Sequence, residues 1–295
     1  MIVIPGPSSR ELGVAISKEL SCRKVDVEYK VFPDGESYLR IAGKVEGEEV
    51  VIVQSTYRPQ DTHVFQLISL SRTARDLGAD RVVAVVPYLA YARQAERYRE
   101  GEAVTSKIMA EMLEFSGVDS LITVDVHSEA ALKSFKIRAQ NISSIPAVVE
   151  YIKSIKGIRD PVVVAPDKER EKHVSLVAEN LGADHIYLTK HRDRITGKVT
   201  TTIDDVSAKK IKGKDALIVD DIISTGDTML NAINLVKEAG SRKVCAICTH
   251  PVLASGALER LMASGLEDIA ATDTIPSPIS KISVAPLIAN FLRKC

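Results

Sequence analysis

The chain has 295 residues and a formal net charge of zero, because 39 lysines and arginines balance 39 aspartates and glutamates. This length predicts two domains of ordinary size. Balanced charge excludes a general attraction to nucleic acid or anionic membranes, and no apolar stretch reaches the roughly 20 residues that a membrane-spanning helix needs. The first residues lack the basic and long apolar regions of a signal peptide. We therefore expect a soluble, cytoplasmic protein that binds anions through local clusters.

Short runs rich in valine and isoleucine alternate with helical patterns along the chain. The runs predicted to be buried strands are residues 50–53, 82–86, 121–124, 162–164, 216–219 and 244–248. Helical spacing of apolar residues occurs between them, at residues 64–77, 106–115, 173–181 and 229–239. Such alternation is typical of parallel sheets flanked by helices, so an α/β fold is predicted.

A faint internal repeat relates the two halves of the chain. Residues 51–55 align with residues 217–221, and Asp61 falls opposite Asp227 at the same offset. The first copy has Gln-Ser where the second has Asp-Asp, and it lacks the Thr-Gly of the following turn. We interpret the chain as two related α/β domains, of which only the second kept a ligand loop. Chance similarity between two strand–helix–strand units is the alternative.

The predicted domain boundary lies in the Ser-Ser-Ile-Pro segment that ends at residue 146. We expect the first domain to span residues 1–145 and the second to span residues 146–282. Residues 283–295 carry an apolar stripe at helical spacing, with Ser283 as the candidate N-cap. Because such a stripe must be buried, we expect this last helix to dock on the first domain.

Cys245 and Cys248 have the C-x-x-C spacing of zinc and redox sites. They fall within a predicted strand, however, and residues three apart in a strand point to opposite faces. The sequence has no second cysteine pair that would complete a zinc site. We therefore expect two buried cysteines that pack as small apolar residues.

The most informative segment is residues 220–228, Asp-Asp-Ile-Ile-Ser-Thr-Gly-Asp-Thr, between an apolar strand and a helical pattern. Two carboxylates that close a buried strand can accept hydrogen bonds from the vicinal hydroxyls of a sugar. The turn that follows can direct backbone N–H groups and a helix dipole at a phosphate. The segment therefore predicts a sugar-phosphate site at the carboxyl end of a parallel strand. The alternative is a solvated pair of acids followed by an ordinary helix cap.

This segment resembles the phosphoribosyl-diphosphate (PRPP) loop of type I phosphoribosyltransferases and PRPP synthetases. The resemblance implies two tandem phosphoribosyltransferase-like domains. It also implies that ribose 5-phosphate is bound by Asp220, Asp221, Ser224, Thr225, Gly226, Asp227 and Thr228, together with an arginine of the catalytic loop that precedes them in the chain. PRPP synthetases carry further motifs for the nucleotide, the metal and the transferred phosphates, and this chain has matching segments in the same order.

Two segments resemble the nucleotide-binding motifs of the synthetases. The resemblance implies that ATP is bound by Phe32, Asp34, Gly35, Glu36, Arg93 and Gln94. An aromatic ring can stack, carboxylates can accept hydrogen bonds, and an arginine can pair with phosphates. An ordinary Pro-Asp-Gly turn is the alternative for the first segment. After the second segment, Ala-Glu stands where the family usually has aspartate.

His127 and Asp167 each follow a predicted strand and match the metal-associated histidine and aspartate of the synthetases. One imidazole and hard carboxylate oxygens suit a Mg²⁺ ion that is held mainly by phosphates and water. Residues 168–170 are Lys-Glu-Arg, which are bulkier and more charged than the small residues usual in the family at this point.

The basic segment at residues 188–198 contains Lys190 and Arg192, which match the lysine and arginine of the flexible catalytic loop in PRPP synthetases. Such cations can stabilise the charge on transferring phosphates. Arg192 is the arginine that the resemblance adds to the ribose 5-phosphate site. A solvated basic turn is the alternative.

Taken together, these segments cover nearly the whole chain and imply the activity of a ribose-phosphate diphosphokinase, which converts ATP and ribose 5-phosphate to AMP and PRPP. The resemblance also implies a homodimer or larger homo-oligomer with a shared nucleotide site, because a neighbouring subunit supplies the first nucleotide segment in the family. A salvage phosphoribosyltransferase would share the PRPP loop but lack the nucleotide segments. A non-catalytic regulatory relative would have lost the loop cations or the acids.

Overall fold

The computed structural model describes residues 1–192 and 199–294. Its strands are β1 (Ile2–Pro5), β2 (Arg23–Lys24), β3 (Val27–Val31), β4 (Ser37–Ile41), β5 (Glu49–Val53), β6 (Arg81–Val85), β7 (Ser120–Val124), β8 (Arg138–Ile142), β9 (Pro161–Ala165), β10 (Asp184–Tyr187), β11 (Thr189–Arg192), β12 (Val199–Thr202), β13 (Asp215–Ile223), β14 (Lys243–Pro251), β15 (Asp268–Thr272) and β16 (Ser280–Ile282). Its helices are α1 (Arg10–Glu19), α2 (Gln60–Asp76), α3 (Thr105–Phe115), α4 (Glu129–Leu132), α5 (Ile145–Ser154), α6 (Glu171–Leu181), α7 (Asp205–Ile211), α8 (Asp227–Glu238), α9 (Ala257–Met262) and α10 (Ala285–Leu292).

Two six-stranded sheets form the framework, and all their strand pairings are parallel. The strand order is β2-β1-β5-β6-β7-β8 in the first sheet and β10-β9-β13-β14-β15-β16 in the second. Strands that correspond in chain order also correspond in position, so the two sheets repeat one topology. The predicted α/β fold with two parallel sheets flanked by helices is confirmed.

The chain divides into two compact units. Unit 1 comprises Met1–Ser144, Asp273–Pro276 and Ser283–Cys295, and unit 2 comprises Ile145–Thr272 and Ser277–Ile282. The chain therefore passes from one unit to the other four times, after residues 144, 272, 276 and 282.

Apolar side chains cover both faces of the sheet in unit 1. Successive residues of β1 alternate between the faces, so that Ile2 and Ile4 pack with α2 and α3 while Val3 packs with α1 and α10. Helix α10 begins after Val284, and the prediction of Ser283 as its N-cap is therefore wrong by one residue. The Ser283 hydroxyl still accepts a hydrogen bond from the Ala285 N–H at 3.2 Å, because it lies just before the first turn.

In unit 2, helices α5 and α6 cover one face of the sheet, and α7, α8 and α9 contribute apolar side chains to the other. Cys245 packs on the first of these faces and Cys248 on the second, so the prediction that they point apart as buried apolar residues is confirmed. Within the described residues, no helix has the length and apolar content that a membrane crossing requires.

The central strands of unit 2 are longer than predicted. β13 continues to Ile223 and β14 to Pro251, because their parallel pairing extends beyond the apolar run. Asp220 and Asp221 therefore lie inside β13 rather than after its end. The PRPP-loop segment consequently begins within the sheet, and only its last residues form the turn.

Candidate active site

Three neighbouring strands of unit 2 bring the predicted side chains to one edge of the sheet. β9 lies between β10 and β13, and parallel strands end at the same edge. Asp167 follows β9, and the two acids lie in the last half of β13. Lys190 lies in β11, which begins two residues after β10 ends. The candidate active site of unit 2 is this edge.

The two predicted ribose acids are buried rather than solvated. Asp220 is 7% exposed and Asp221 is 4% exposed. Oδ1 of Asp220 accepts a hydrogen bond from the Asp221 N–H at 2.8 Å, and Arg170 Nη1 lies 2.9 Å from Asp221 Oδ2. The alternative of two solvated acids is therefore wrong. The arginine that completes this arrangement was absent from the predicted site residues, although the sequence marked residues 168–170 as a departure from the family pattern.

The two carboxyl groups differ in their electrostatic surroundings. Burial is the main cause that raises the pKa of Asp220 well above its ordinary value, and the neighbouring charge of Asp221 raises it further. The charge of Asp167 acts in the same direction. Asp221, in contrast, forms a direct ion pair with Arg170. In the free protein, Asp220 therefore holds a proton at pH values where an ordinary aspartate has lost it.

The raised pKa of Asp220 predicts a pH-dependent effect of Asp220→Asn on stability. Above about pH 4 the unfolded aspartate loses its proton, whereas the folded one keeps it until the pH passes the raised pKa. The free energy of unfolding of the original protein therefore falls over this range, and the asparagine variant lacks that fall. We expect denaturant titrations to show that the free energy of unfolding of Asp220→Asn, relative to that of the original protein, increases from pH 4 towards pH 8.

An exposed acid of the same unit provides the control for this pH series. Asp205 lies at the start of α7 and is exposed, so Asp205→Asn should not show the same growth with pH. A stability difference between Asp220→Asn and the original protein that stays constant across the series would contradict the raised pKa.

The turn after β13 has the backbone geometry of a phosphate loop. Gly226 adopts a left-handed conformation with φ of 83° and immediately precedes the first residue of α8. A Cβ atom at this position would lie 3.2 Å from the Cβ of Ala257, so glycine suits both the backbone and the space. The free N–H groups of the first turn of α8 and the positive end of its dipole can bind an anion here.

Arg260, which belongs to no motif in the sequence, contacts the turn after β13 from α9. Its Nη1 lies 2.7 Å from Asp227 Oδ1, and its Nη2 donates to the Thr225 carbonyl oxygen. The Thr225 hydroxyl donates to the other carboxylate oxygen of Asp227 at 2.9 Å. Asp227 is the one acidic residue among residues 224–228, and its negative charge would repel a phosphate. These bonds pair that charge with the guanidinium of Arg260. Distance along the chain explains why no local motif indicated this contact.

Lys190 forms an ion pair across the site. Its Nζ lies 2.6 Å from Asp167 Oδ2, with side-chain exposures of 31% and 19%. The segment predicted as a flexible catalytic loop begins as strand β11, which pairs antiparallel with β12. The side chain of Arg192 and residues 193–198 lie outside the described part of the chain. Of the two predicted catalytic cations, only Lys190 has a described side chain, and it contacts Asp167, the aspartate that was predicted to associate with the metal.

The first nucleotide segment is the tip of the β3–β4 hairpin in unit 1. Gly35 adopts a φ of 94°, and the Asp34 carboxylate accepts a hydrogen bond from the Glu36 N–H at 3.2 Å, so the segment does contain a turn. The ring of Phe32 is exposed and lies below the ammonium group of Lys30, which is 4.6 Å from its centroid. The turn thus presents an aromatic face and two exposed acids.

The second nucleotide segment and the predicted metal histidine follow neighbouring strands of the same sheet. Arg93 and Gln94 come after β6 and are exposed. The Gln94 side chain accepts a hydrogen bond from the Thr105 hydroxyl at 2.5 Å, at the start of α3. His127 lies between β7 and α4 and is half-buried.

In unit 1, the residues that align with the two acids have neutral side chains. Gln54 and Ser55, which align with the two acids, are fully buried. Gln54 accepts a hydrogen bond from the Ser8 N–H at 3.0 Å and donates one to Gln66 at 3.0 Å. Ser55 donates to the Thr274 carbonyl oxygen at 2.5 Å. In unit 1, neutral side chains with internal hydrogen bonds therefore stand where unit 2 has the two carboxyl groups.

The chain matches two family models, which together contain the two nucleotide segments, Lys190 and residues 220–228. Residues 1–117 match the N-terminal domain of ribose phosphate pyrophosphokinase, and residues 182–289 match the phosphoribosyl synthetase-associated domain. A ribose-phosphate pyrophosphokinase from Methanothermobacter thermautotrophicus is 40% identical over 292 residues, which cover 99% of this chain and 100% of that protein. This chain belongs to the ribose-phosphate pyrophosphokinase family.

A second sequence relative and a solved structure support the same family assignment. The ribose-phosphate pyrophosphokinase of Sulfolobus acidocaldarius is 37% identical over 294 residues, with full coverage of both chains. The crystal structure of phosphoribosylpyrophosphate synthetase from Mycobacterium smegmatis matches with a TM-score of 0.87 at 27% identity, covering 99% of this chain and 97% of that one. The resemblance inferred from the motifs is confirmed.

Proposed function

We propose that this pyrophosphokinase transfers the β,γ-diphosphoryl group of ATP to the 1-hydroxyl of ribose 5-phosphate. The hydroxyl oxygen attacks the β-phosphorus, the bond from that phosphorus to the α,β-bridging oxygen breaks, and the hydroxyl proton is released. The products are PRPP and AMP. The observation that carries this proposal is the pair of buried acids directly before a glycine turn and a helix N-terminus. We also propose a cytoplasmic location, where both phosphorylated substrates occur.

The ribose site is proposed to be built on β13 and the turn after it. Asp220 and Asp221 would accept hydrogen bonds from the ring hydroxyls and thereby orient the 1-hydroxyl. Backbone N–H and hydroxyl groups of residues 224–228 would bind the 5-phosphate. In support, the carboxylate of Asp227 is already engaged by Arg260 and Thr225, so it does not oppose an anion in the loop.

The transferring phosphates are proposed to be stabilised electrostatically. Phosphoryl transfer spreads charge over the equatorial oxygens, and preorganised cations stabilise that charge. Lys190 and Arg192 would be the cations that the protein supplies for this purpose. His127 and Asp167 would be the residues associated with a Mg²⁺ ion, which would supply further positive charge near the phosphates. The described residues contain no group of three or more histidine, cysteine or acidic side chains that could hold a metal.

The nucleotide is proposed to bind between the subunits of a homodimer or larger homo-oligomer. Phe32, Asp34, Gly35 and Glu36 of one subunit would contact the adenine and ribose, while Arg93 and Gln94 would belong to the other side of the site. The hairpin supports this proposal because apolar side chains around its tip, including Val31 at 55% exposure, are exposed in the single chain. A second chain would cover them.

The reaction is tested by identifying the nucleotide product. Attack at the β-phosphorus predicts that AMP accumulates in step with the consumption of ribose 5-phosphate. Incubation with Mg-ATP and ribose 5-phosphate, followed by chromatography of nucleotides and sugar phosphates, distinguishes the possibilities. Accumulation of ADP would identify an ordinary sugar kinase. Absence of turnover, combined with PRPP consumption in the presence of a free base, would identify a salvage phosphoribosyltransferase.

Mixing two inactive variants tests the shared nucleotide site. We expect the double variant Phe32→Ala/Glu36→Ala and the variant Lys190→Ala each to have low activity. In a mixed oligomer, one site receives an intact hairpin from the Lys190→Ala subunit and an intact catalytic unit from the hairpin variant. Activity after co-refolding or subunit exchange should therefore exceed the sum of the two separate activities. A mixture that never exceeds this sum would show that hairpin and catalytic unit act within one chain.

A further inference from the structure

Arg170 is placed between two strands that both contribute to the candidate site. It ends the short turn Lys168–Arg170, which follows β9 and leads into α6. Its backbone N–H donates to the Asp167 side chain at 3.3 Å, and its guanidinium reaches Asp221 on β13 at 2.9 Å. One residue thus links the predicted metal aspartate and a predicted ribose aspartate through separate parts of its structure.

The ion pair between Arg170 and Asp221 differs from an ordinary surface pair. The two side chains are 18% and 6% exposed, so water screens their attraction only weakly. Arginine stays charged at every working pH, and its planar fork fixes the orientation of the carboxylate that it contacts. The buried carboxyl group of the preceding residue, Asp220, accepts a hydrogen bond from the Asp221 N–H at 2.8 Å. Without the guanidinium, the charge of Asp221 would have to be accommodated in a buried acidic cluster.

We infer that Arg170 is a positioning residue for ribose recognition, which holds the Asp221 carboxylate in the orientation that accepts the vicinal hydroxyls of the substrate. The inference rests on the proposed role of Asp221. Arg170 stands in the segment where this chain departs from the small residues of its family.

The test is the variant Arg170→Met, which removes the cation but keeps much of the length of the side chain. Loss of a charge-assisted hydrogen bond at a buried acid predicts an increase of about 10- to 100-fold in the KM for ribose 5-phosphate. The KM for ATP should change far less. Arg170→Lys should recover part of the loss, because it restores the charge without the fork. The matched control is Lys168→Met, which removes an exposed cation from the same turn.

Discrimination between sugars adds a readout that a purely structural role would not affect. The ratio of kcat/KM for ribose 5-phosphate over 2-deoxyribose 5-phosphate should fall in Arg170→Met, because the acceptor of the vicinal hydroxyls is misoriented. The double variant Arg170→Met/Asp221→Asn should be little worse than Asp221→Asn alone. Circular dichroism and a thermal melt establish that each variant is folded.

Three outcomes would overturn the inference, and they are distinguishable. If Asp221→Asn raises the KM for ribose 5-phosphate but Arg170→Met does not, the inference fails while the proposed role of Asp221 stands. If neither variant changes that KM, the assignment of the ribose site itself fails. A lower melting temperature in Arg170→Met with unchanged KM values and unchanged sugar discrimination would identify Arg170 as a structural residue and would also overturn the inference.

Discussion

Replacing Lys190 or Arg192 with alanine is expected to lower kcat by about 10³- to 10⁵-fold, the range observed when a phosphoryl-transfer enzyme loses a cation that stabilises its transition state. The effect on the two KM values should be much smaller. In the free protein Lys190 Nζ lies 2.6 Å from Asp167 Oδ2, and we expect its other N–H donors to reach the transferring phosphates once the substrates are bound. Its contribution is expected mainly after the substrates have bound, which makes it a contribution to kcat.

Steady-state kinetics with each substrate varied separately, together with thermal melts, would check this prediction. The melting temperature should change little, because the pair between Lys190 and Asp167 is partly exposed and such pairs contribute roughly 0–1 kcal/mol. Lys209→Ala, which removes an exposed lysine of α7 in the same unit, is the matched control. A near-normal kcat in the double variant Lys190→Ala/Arg192→Ala would contradict this prediction and would favour the alternative that these residues form a solvated basic turn.

Asp221→Asn is expected to raise the KM for ribose 5-phosphate by about 10- to 100-fold, which corresponds to the roughly 1.5–3 kcal/mol of a charge-assisted hydrogen bond. Asp220→Asn should act in the same direction but less strongly. The reason is the raised pKa of Asp220, since asparagine resembles a carboxyl group that is already neutral. The KM for ATP should change less than that for ribose 5-phosphate in both variants.

Isothermal titration or initial-rate kinetics of the two variants would measure this order of effects. Thr272→Ser, which alters another fully buried polar residue of unit 2 while keeping its hydroxyl, is a control for general disturbance of the sheet. Equal losses of affinity for both substrates, accompanied by a lower melting temperature, would favour a structural role for the acids.

The central strands of both sheets could be predicted from the sequence, because a strand that is buried on both faces consists of a continuous run of apolar residues. The sequence did not predict where β13 and β14 end. Both strands continue through polar residues, and their continuation depends on pairing with each other rather than on local composition. The opposite faces of Cys245 and Cys248 were predictable, since alternation along a strand depends only on backbone geometry.

Within the candidate site, the acids and the glycine turn were predictable because they are contiguous in sequence. Arg170 and Arg260 were not, because each is recognised only by what its guanidinium contacts after folding. Arg260 lies 33 residues from Asp227 along the chain, and a single arginine on a short helix has no pattern of its own. The protonation of Asp220 likewise depends on burial and on neighbouring charges that only the folded chain assembles.

The interleaved course of the chain has a consequence for its synthesis. Unit 2 is complete once residue 282 has been made, but one face of the unit 1 sheet is covered by α10, whose residues follow that point. Ribosomes add roughly 5–20 residues per second, so residues 1–144 wait on the order of ten seconds or more for their final helix. During this interval α1 is already available to cover part of this face, and the part that α10 covers exposes apolar side chains. Transiently exposed apolar surface makes an incompletely folded chain prone to aggregation, so the making of α10 removes this risk from unit 1.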